Sequence, residues 1–109
     1  MHELAITQSV VDTITERTSG AKVTLVRLDI GKLSGVVPEA VAFCFELVAD
    51  GTPLQAARLE INEPVGRAQC HSCAAEFGLE QFILLCPCGS ADVEVLAGQE
   101  LAIRSVEVA

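Results

Sequence analysis

The stretch Cys70-His71-Ser72-Cys73, followed after twelve residues by Cys86-Pro87-Cys88-Gly89, holds four of the chain's five cysteines. A Cys-x-x-Cys turn sets two thiolates at neighbouring corners of a tetrahedron, and two facing turns make the closed four-sulfur shell of a structural zinc ion. The second turn here is Cys-x-Cys, one residue shorter, so its amides must meet the sulfurs differently. His71, inside the first turn, stands as a substitute ligand should one cysteine fall short. Iron in a rubredoxin-like arrangement is allowed by the same four sulfurs. Two disulfides, or a redox pair opening a helix, are the competing readings. Disulfides are rare in the cytoplasm, and Cys70 reads as lying among loop residues rather than at a strand-to-helix turn.

Around this cluster, the segment from roughly 66 to 94 breaks every regular pattern, and its apolar content is little more than Phe77, Leu79 and the run Phe82-Ile83-Leu84-Leu85. So small a lobe gains its folding stability from metal coordination. The chain on either side is regular. Residues 4 to 18 read as an amphipathic helix, with Leu4, Val11 and Thr18 seven apart and Ile6, Val10 and Ile14 at i, i+4, i+8, stopped at Gly20. Val23 to Ile30 alternates as a strand, with Thr24, Val26, Leu28 and Ile30 on its inner face. Pro38 suits the start of a second helix, which carries Val41, Cys44, Phe45 and Val48 on one face and ends at Asp50-Gly51. Arg58 to Asn62 is a second strand closed by Pro64, and alternation returns from Leu101 towards Val108. The expected architecture is α+β: two helices packed on a three-stranded sheet, with a zinc-ribbon-like lobe inserted before the last strand. Residues 1–65 plus 99–109 would form the α/β domain and 66–98 the zinc-binding lobe, placed between two strands that could be neighbours. Cys44 reads as core.

At 109 residues the chain accommodates one compact domain with a small insert. No apolar run approaches the roughly 18–20 residues that span a bilayer, and the N-terminus lacks a basic region followed by an apolar stretch. A cytoplasmic protein without membrane attachment is expected. Seven Lys and Arg stand against fifteen Asp and Glu, for a net charge of −8. Between Pro64 and Gly98 the only one of the seven is Arg67. Nucleic-acid binding, which needs a clustered basic footprint, is disfavoured. With histidine only at positions 2 and 71, and no phosphate-cradling glycine loop, the chain does not read as an enzyme.

His2 turns a metal-stabilised domain into a functional expectation. The Met1 amine, the His2 amide nitrogen and the His2 imidazole can close fused five- and six-membered chelate rings, a nitrogen donor set that suits Ni(II) or Cu(II) better than zinc. The Glu3 amide or carboxylate is available for a remaining position. A site at a chain end is easily handed over, as a carrier requires.

Met1-His2-Glu3 opening a helix, Ile30-Gly31 and Leu33-Ser34 after the first strand, and Phe43-Cys44-Phe45-Glu46 in the second helix resemble the HypA/HybF family. The knuckles ending Cys86-Pro87-Cys88-Gly89-Ser90 and the closing Ile103-Arg104-Ser105-Val106-Glu107-Val108 extend the resemblance over essentially the whole chain. The resemblance implies a nickel metallochaperone for maturation of [NiFe]-hydrogenase and, in some members, urease. It implies transferable Ni(II) at His2, with the Met1 amine and Glu3 close by, and structural Zn(II) at Cys70, Cys73, Cys86 and Cys88. The implied partners are a HypB-type nickel GTPase and the [NiFe]-hydrogenase large-subunit precursor, the chain itself being a monomer or weak homodimer. The departure is the shortened second knuckle, where the family commonly has Cys-x-x-Cys. A zinc-ribbon interaction module without nickel transfer and a rubredoxin-like redox protein are the alternatives.

Overall fold

In the computed structural model, which describes residues 2–109, helix α1 spans Glu3–Arg17 and strand β1 spans Val23–Ile30. They are followed by α2 (Pro38–Ala49), β2 (Arg58–Asn62), β3 (Gly66–Cys70), β4 (Glu76–Leu79), β5 (Val93–Ala97) and β6 (Leu101–Val108). β1 is the centre of a three-stranded sheet, parallel to β2 on one side and antiparallel to β6 on the other. A parallel pair needs a crossover, and α2 supplies it. The two strands flanking the insert, β2 and β6, could have been neighbours but are not: β1 lies between them, because the crossover uses one of its edges and leaves the other for β6.

Both helices cover one face of this sheet. Val11 and Ile14 of α1 join Val41, Phe45 and Ala49 of α2 over Val26, Leu28 and Ile30, and Leu54 closes the cluster. Pro38 occupies the first turn of α2 as expected, and α1 ends in a turn where the Gly20 N–H bonds the Thr15 carbonyl at φ +76°. The buried stripe of α1 is Glu3, Thr7, Val11 and Ile14, whereas Leu4 is exposed and Ile6 and Val10 are only half-buried. The stripe is rotated from the expected one because α1 packs against α2 as well as the sheet, so polar Thr7 is buried and gives its hydroxyl to the Glu3 carbonyl at 2.6 Å. On β1, Thr24 is exposed rather than inward, and Val23 and Leu25 are buried in its place. A register shift against β6 between Val23 and Leu25 accompanies this change. The outer face is polar, with Arg27 bridging Glu60 and Glu107 across all three strands.

The insert is not irregular. β4, β3 and β5 form a second, antiparallel sheet in that order, and Cys70 is the last residue of β3 rather than part of a loop. Its small core is Leu33, Ala68 and Leu79, flanked by Phe77 and Val95. Leu33 comes from the loop after β1, so the rest of the chain contributes directly to the lobe's interior. The Gly31 N–H bonds the Glu100 carbonyl at 2.8 Å, the Lys32 N–H bonds Pro64 at 2.9 Å and the Leu33 N–H bonds Gly98 at 2.7 Å. Glycine is required at this crossing. A Cβ on Gly31 would overlap the Gly98 carbonyl, and one on Gly66 would come within 2.5 Å of both Leu33 Cδ1 and the Leu79 carbonyl oxygen.

Gly31→Ala is expected to cost about 3 kcal/mol or more, because backbone has to move to make room. Gly20→Ala meets nothing within 4 Å and has only its positive φ to oppose it, a cost of about 1 kcal/mol. Urea unfolding of the two variants measures the difference; equal losses would mean that the crossing can relax.

Candidate metal centre

Two turns bring the four sulfurs together. In the first, at the end of β3, the Ser72 and Cys73 N–H groups point at Cys70 Sγ at 3.3 and 3.4 Å. The turn closes through the Ala74 N–H to the Cys70 carbonyl at 2.9 Å, with Ala74 in the left-handed region at φ 66°. In the second, Pro87 has no N–H to give, and the Cys88 N–H meets Cys86 Sγ at 3.4 Å. The Cys86 N–H bonds the Ser90 carbonyl, the Gly89 N–H returns to the Cys86 carbonyl, and Gly89 takes φ +97°. The shortened knuckle thus closes with glycine after it, and the Ser72 and Ser90 hydroxyls join the two turns at 2.8 Å.

The sulfurs of Cys70, Cys73, Cys86 and Cys88 all lie within 4.8 Å of one another. Cys70 and Cys88 Sγ are 3.7 Å apart, and Cys73 and Cys86 Sγ are 3.6 Å apart. A tetrahedron with Zn–S bonds of about 2.3 Å has edges of about 3.8 Å, whereas a disulfide holds its sulfurs about 2.05 Å apart. All five cysteines are free thiols. The donor set and spacing therefore fit a tetrahedral thiophilic ion and not a pair of disulfides. Cys70 and Cys86 are buried while Cys73 and Cys88 are exposed, so the cluster sits at the lobe surface with its inner half covered.

The thiols differ in acidity. The amide of Cys73, followed by that of Ser72, holds Cys70 down to about 6 against burial. Cys86 has the Cys88 amide pulling it down, but burial and hydrogen bonding with the neighbouring thiols push it up to about 12. One thiolate forms readily, and further ionisation without a cation is opposed. A divalent ion supplies the missing charge and displaces protons on binding.

His71 does not join the cluster. Its Nδ1 lies 3.1 Å from Asp92 Oδ1 and its Nε2 3.1 Å from Glu94 Oε1, so both ring nitrogens are engaged outside the sulfur shell. The Glu94 and then the Asp92 carboxylate raise its pKa. With four cysteines in place, no substitute ligand is needed. Cys44 is half-buried on α2, away from the cluster.

At the other candidate site, His2 is exposed at the N-cap of α1, where its carbonyl accepts the Ile6 N–H at 2.9 Å. The Met1 amine lies outside the described residues. Glu3 is buried, and its Oε2 accepts the Val37 N–H at 3.0 Å. Val37 is the N-cap of α2 and has no side-chain acceptor of its own. In a capping box the third helical residue would reach back to that N–H, but here it is Ala40, and Glu3 does the work from another helix. Sequence reading missed this tie between the two helix starts. Its signals were Val37-Pro38, a helix start without a polar cap, and an acid in the first turn of α1.

Elemental analysis of the purified chain is expected to find one zinc and no iron per chain, with about one zinc retained in His71→Ala and zinc lost in Cys70→Ala or Cys86→Ala, the two buried ligands. Loss of zinc from His71→Ala would put that ring in the coordination shell.

The family model described as "Hydrogenase/urease nickel incorporation, metallochaperone, hypA" matches residues 1–108. The hydrogenase maturation factor HypA of Geotalea uraniireducens is 48% identical over 109 residues, covering 99% of each chain. That of Nostoc sp. strain PCC 7120 is 47% identical over 108 residues, covering 99% of this chain and 96% of the relative. The solution structure of the nickel metallochaperone HypA from Helicobacter pylori shares the fold with a TM-score of 0.67 at 22% identity, covering 99% of this chain and 97% of that one. The matching family model over nearly the full length and the relatives at almost half identity establish that this chain belongs to the HypA family of hydrogenase-maturation nickel metallochaperones.

Proposed function

We propose that the chain binds Ni(II) at its N-terminus and delivers it to the [NiFe]-hydrogenase large-subunit precursor, with urease as a second recipient class, while Zn(II) held by Cys70, Cys73, Cys86 and Cys88 is structural. The observation that carries the reading is the contrast between the two sites. Four converging sulfurs form a closed shell with no position left for an exchanging ligand. His2 is exposed at a helix start, where a bound ion stays accessible to a recipient. Membership of the HypA family supports nickel as the cargo. The chain acts as a carrier and not a catalyst, so nucleotide hydrolysis belongs to a HypB-type GTPase partner. Its place of action is the cytoplasm, as a monomer or weak homodimer, and no described helix is long and apolar enough to cross a membrane.

Nickel titration of untagged protein with an authentic Met1 tests the cargo site. Stoichiometric Ni(II) binding is expected in the native chain and is expected to vanish in His2→Ala or behind an N-terminal tag, with zinc content unchanged. Equal binding without His2 would remove the N-terminal site and leave a zinc-stabilised docking module.

The same reading carries a link between the two metals. The loop 31–37 gives Leu33 to the lobe core at one end and the Val37 N–H to Glu3, next to His2, at the other. Stripping zinc is expected to speed amide exchange in residues 1–10 as well as in the lobe. Exchange there that does not respond to zinc removal would mean the two sites are independent.

A further inference from the structure

The run Phe82-Ile83-Leu84-Leu85 does not fill the lobe as its composition suggests. These side chains are 53%, 62%, 38% and 52% exposed, and none belongs to either hydrophobic cluster. Single exposed apolar residues are ordinary, but four in succession with nothing over them mark a contact surface. The run is also shaped. The Ile83 N–H bonds the Gln81 carbonyl at 2.8 Å and the Leu85 N–H bonds the Ile83 carbonyl at 2.9 Å, two successive three-residue turns. Both ends are fixed: Leu79 is buried in the lobe core, and Cys86, the next residue after the run, is a buried member of the sulfur cluster. A short projection anchored at both ends loses little freedom on binding, which favours association.

The surrounding charge selects the occupant. Glu80 adjoins the run, and the lobe also carries Glu76 together with Asp92 and Glu94, the two carboxylates that hold His71. The one Lys or Arg of residues 66–98, Arg67, already lies 3.6 Å from Glu76. A second copy would bring two acidic lobes together on chains of net charge −8, and an anionic bilayer would repel the tip for the same reason. A protein cleft with an apolar floor and a rim of Lys and Arg complements both features.

We propose that Phe82–Leu85 is a docking plug that seats in an apolar, basic-rimmed cleft on a protein partner in metal delivery. The choice of probes rests on the function proposed above: the purified HypB-type GTPase and the purified large-subunit precursor. Each is titrated with the full zinc-loaded chain, with the double variant Ile83→Ser/Leu85→Ser, and with Phe43→Ser, which removes an equally exposed apolar residue on α2. The double variant is expected to bind one partner at least about tenfold more weakly, while Phe43→Ser binds it as the native chain does. Zinc content and melting temperature should be those of the native chain, and Glu80→Lys should slow association with the same partner in low salt.

Unchanged affinity of the double variant for every partner that the native chain binds would overturn the plug and leave the carrier reading intact. So would losses confined to self-association or to binding of phosphatidylcholine vesicles, which would assign the tip to a second copy or to a membrane. Native chain that binds neither partner would overturn the plug together with the partner half of the carrier reading, and the His2 titration decides the nickel half independently.

Discussion

The structure depends on a backbone crossing. Residues 31–33 leave β1 and run between the two stems of the lobe, bonding Pro64 on the way in and Gly98 and Glu100 on the way out. The approach is so close that side chains are excluded at Gly31 and Gly98, where added Cβ atoms would meet backbone, and at Gly66, where one would meet both the Leu33 side chain and the Leu79 carbonyl. Such contacts do not deform gradually. Leu33 follows at once into the core between Ala68 and Leu79. The lobe is therefore not a module on a flexible tether: its interior is completed by a residue that the central strand delivers.

The second constraint is charge. Four thiols within 4.8 Å cannot all ionise without a cation, and the opposite displacements of Cys70 and Cys86 express that conflict. The two knuckles resolve it differently. The first offers two amides to Cys70. In the second, Pro87 removes a donor and the Cys88 amide alone serves Cys86. The residue missing from the second knuckle costs a hydrogen-bond donor rather than a ligand, since Gly89 at positive φ and the Cys86 to Ser90 bond still carry both sulfurs to the cluster.

Much of this was legible in the sequence, and the failures have a common cause. Both helices and the strands of the first sheet follow from periodicity and from Gly20 and Pro38, although the fold rotates the buried stripe of α1 and breaks the alternation of β1 between Val23 and Val26. The lobe strands were missed because they are short and lie between turn-forming cysteines and glycines: β4 is only Glu76–Leu79, and alternation over four residues carries almost no signal. The sulfur cluster was legible because ligand spacing is a local property. Strand order, the Leu33 insertion and the Glu3 bond to Val37 are relations between distant segments, and no window along the chain contains them. The exposure of the apolar run 82–85 was not legible either: composition marks a residue as able to be buried, and only the fold decides whether there is anything to bury it against.

On the carrier reading, the two metal sites divide by what holds them in place. The sulfurs are held between the end of β3, where Cys70 is the last strand residue, and a glycine-closed turn with Cys86 buried in it, so an ion there is tied to the folding of the lobe. His2 sits where the helix ladder has just begun, and its ring belongs to no packed core. The first turn of α1 is tied to the rest of the fold by the buried Glu3, whose Oε2 accepts the Val37 N–H at the start of α2. The residue next to the exchangeable site is thus part of the fold. If His2 carries the ion, a recipient has only to reach an exposed ring at a helix start that Glu3 ties into the fold.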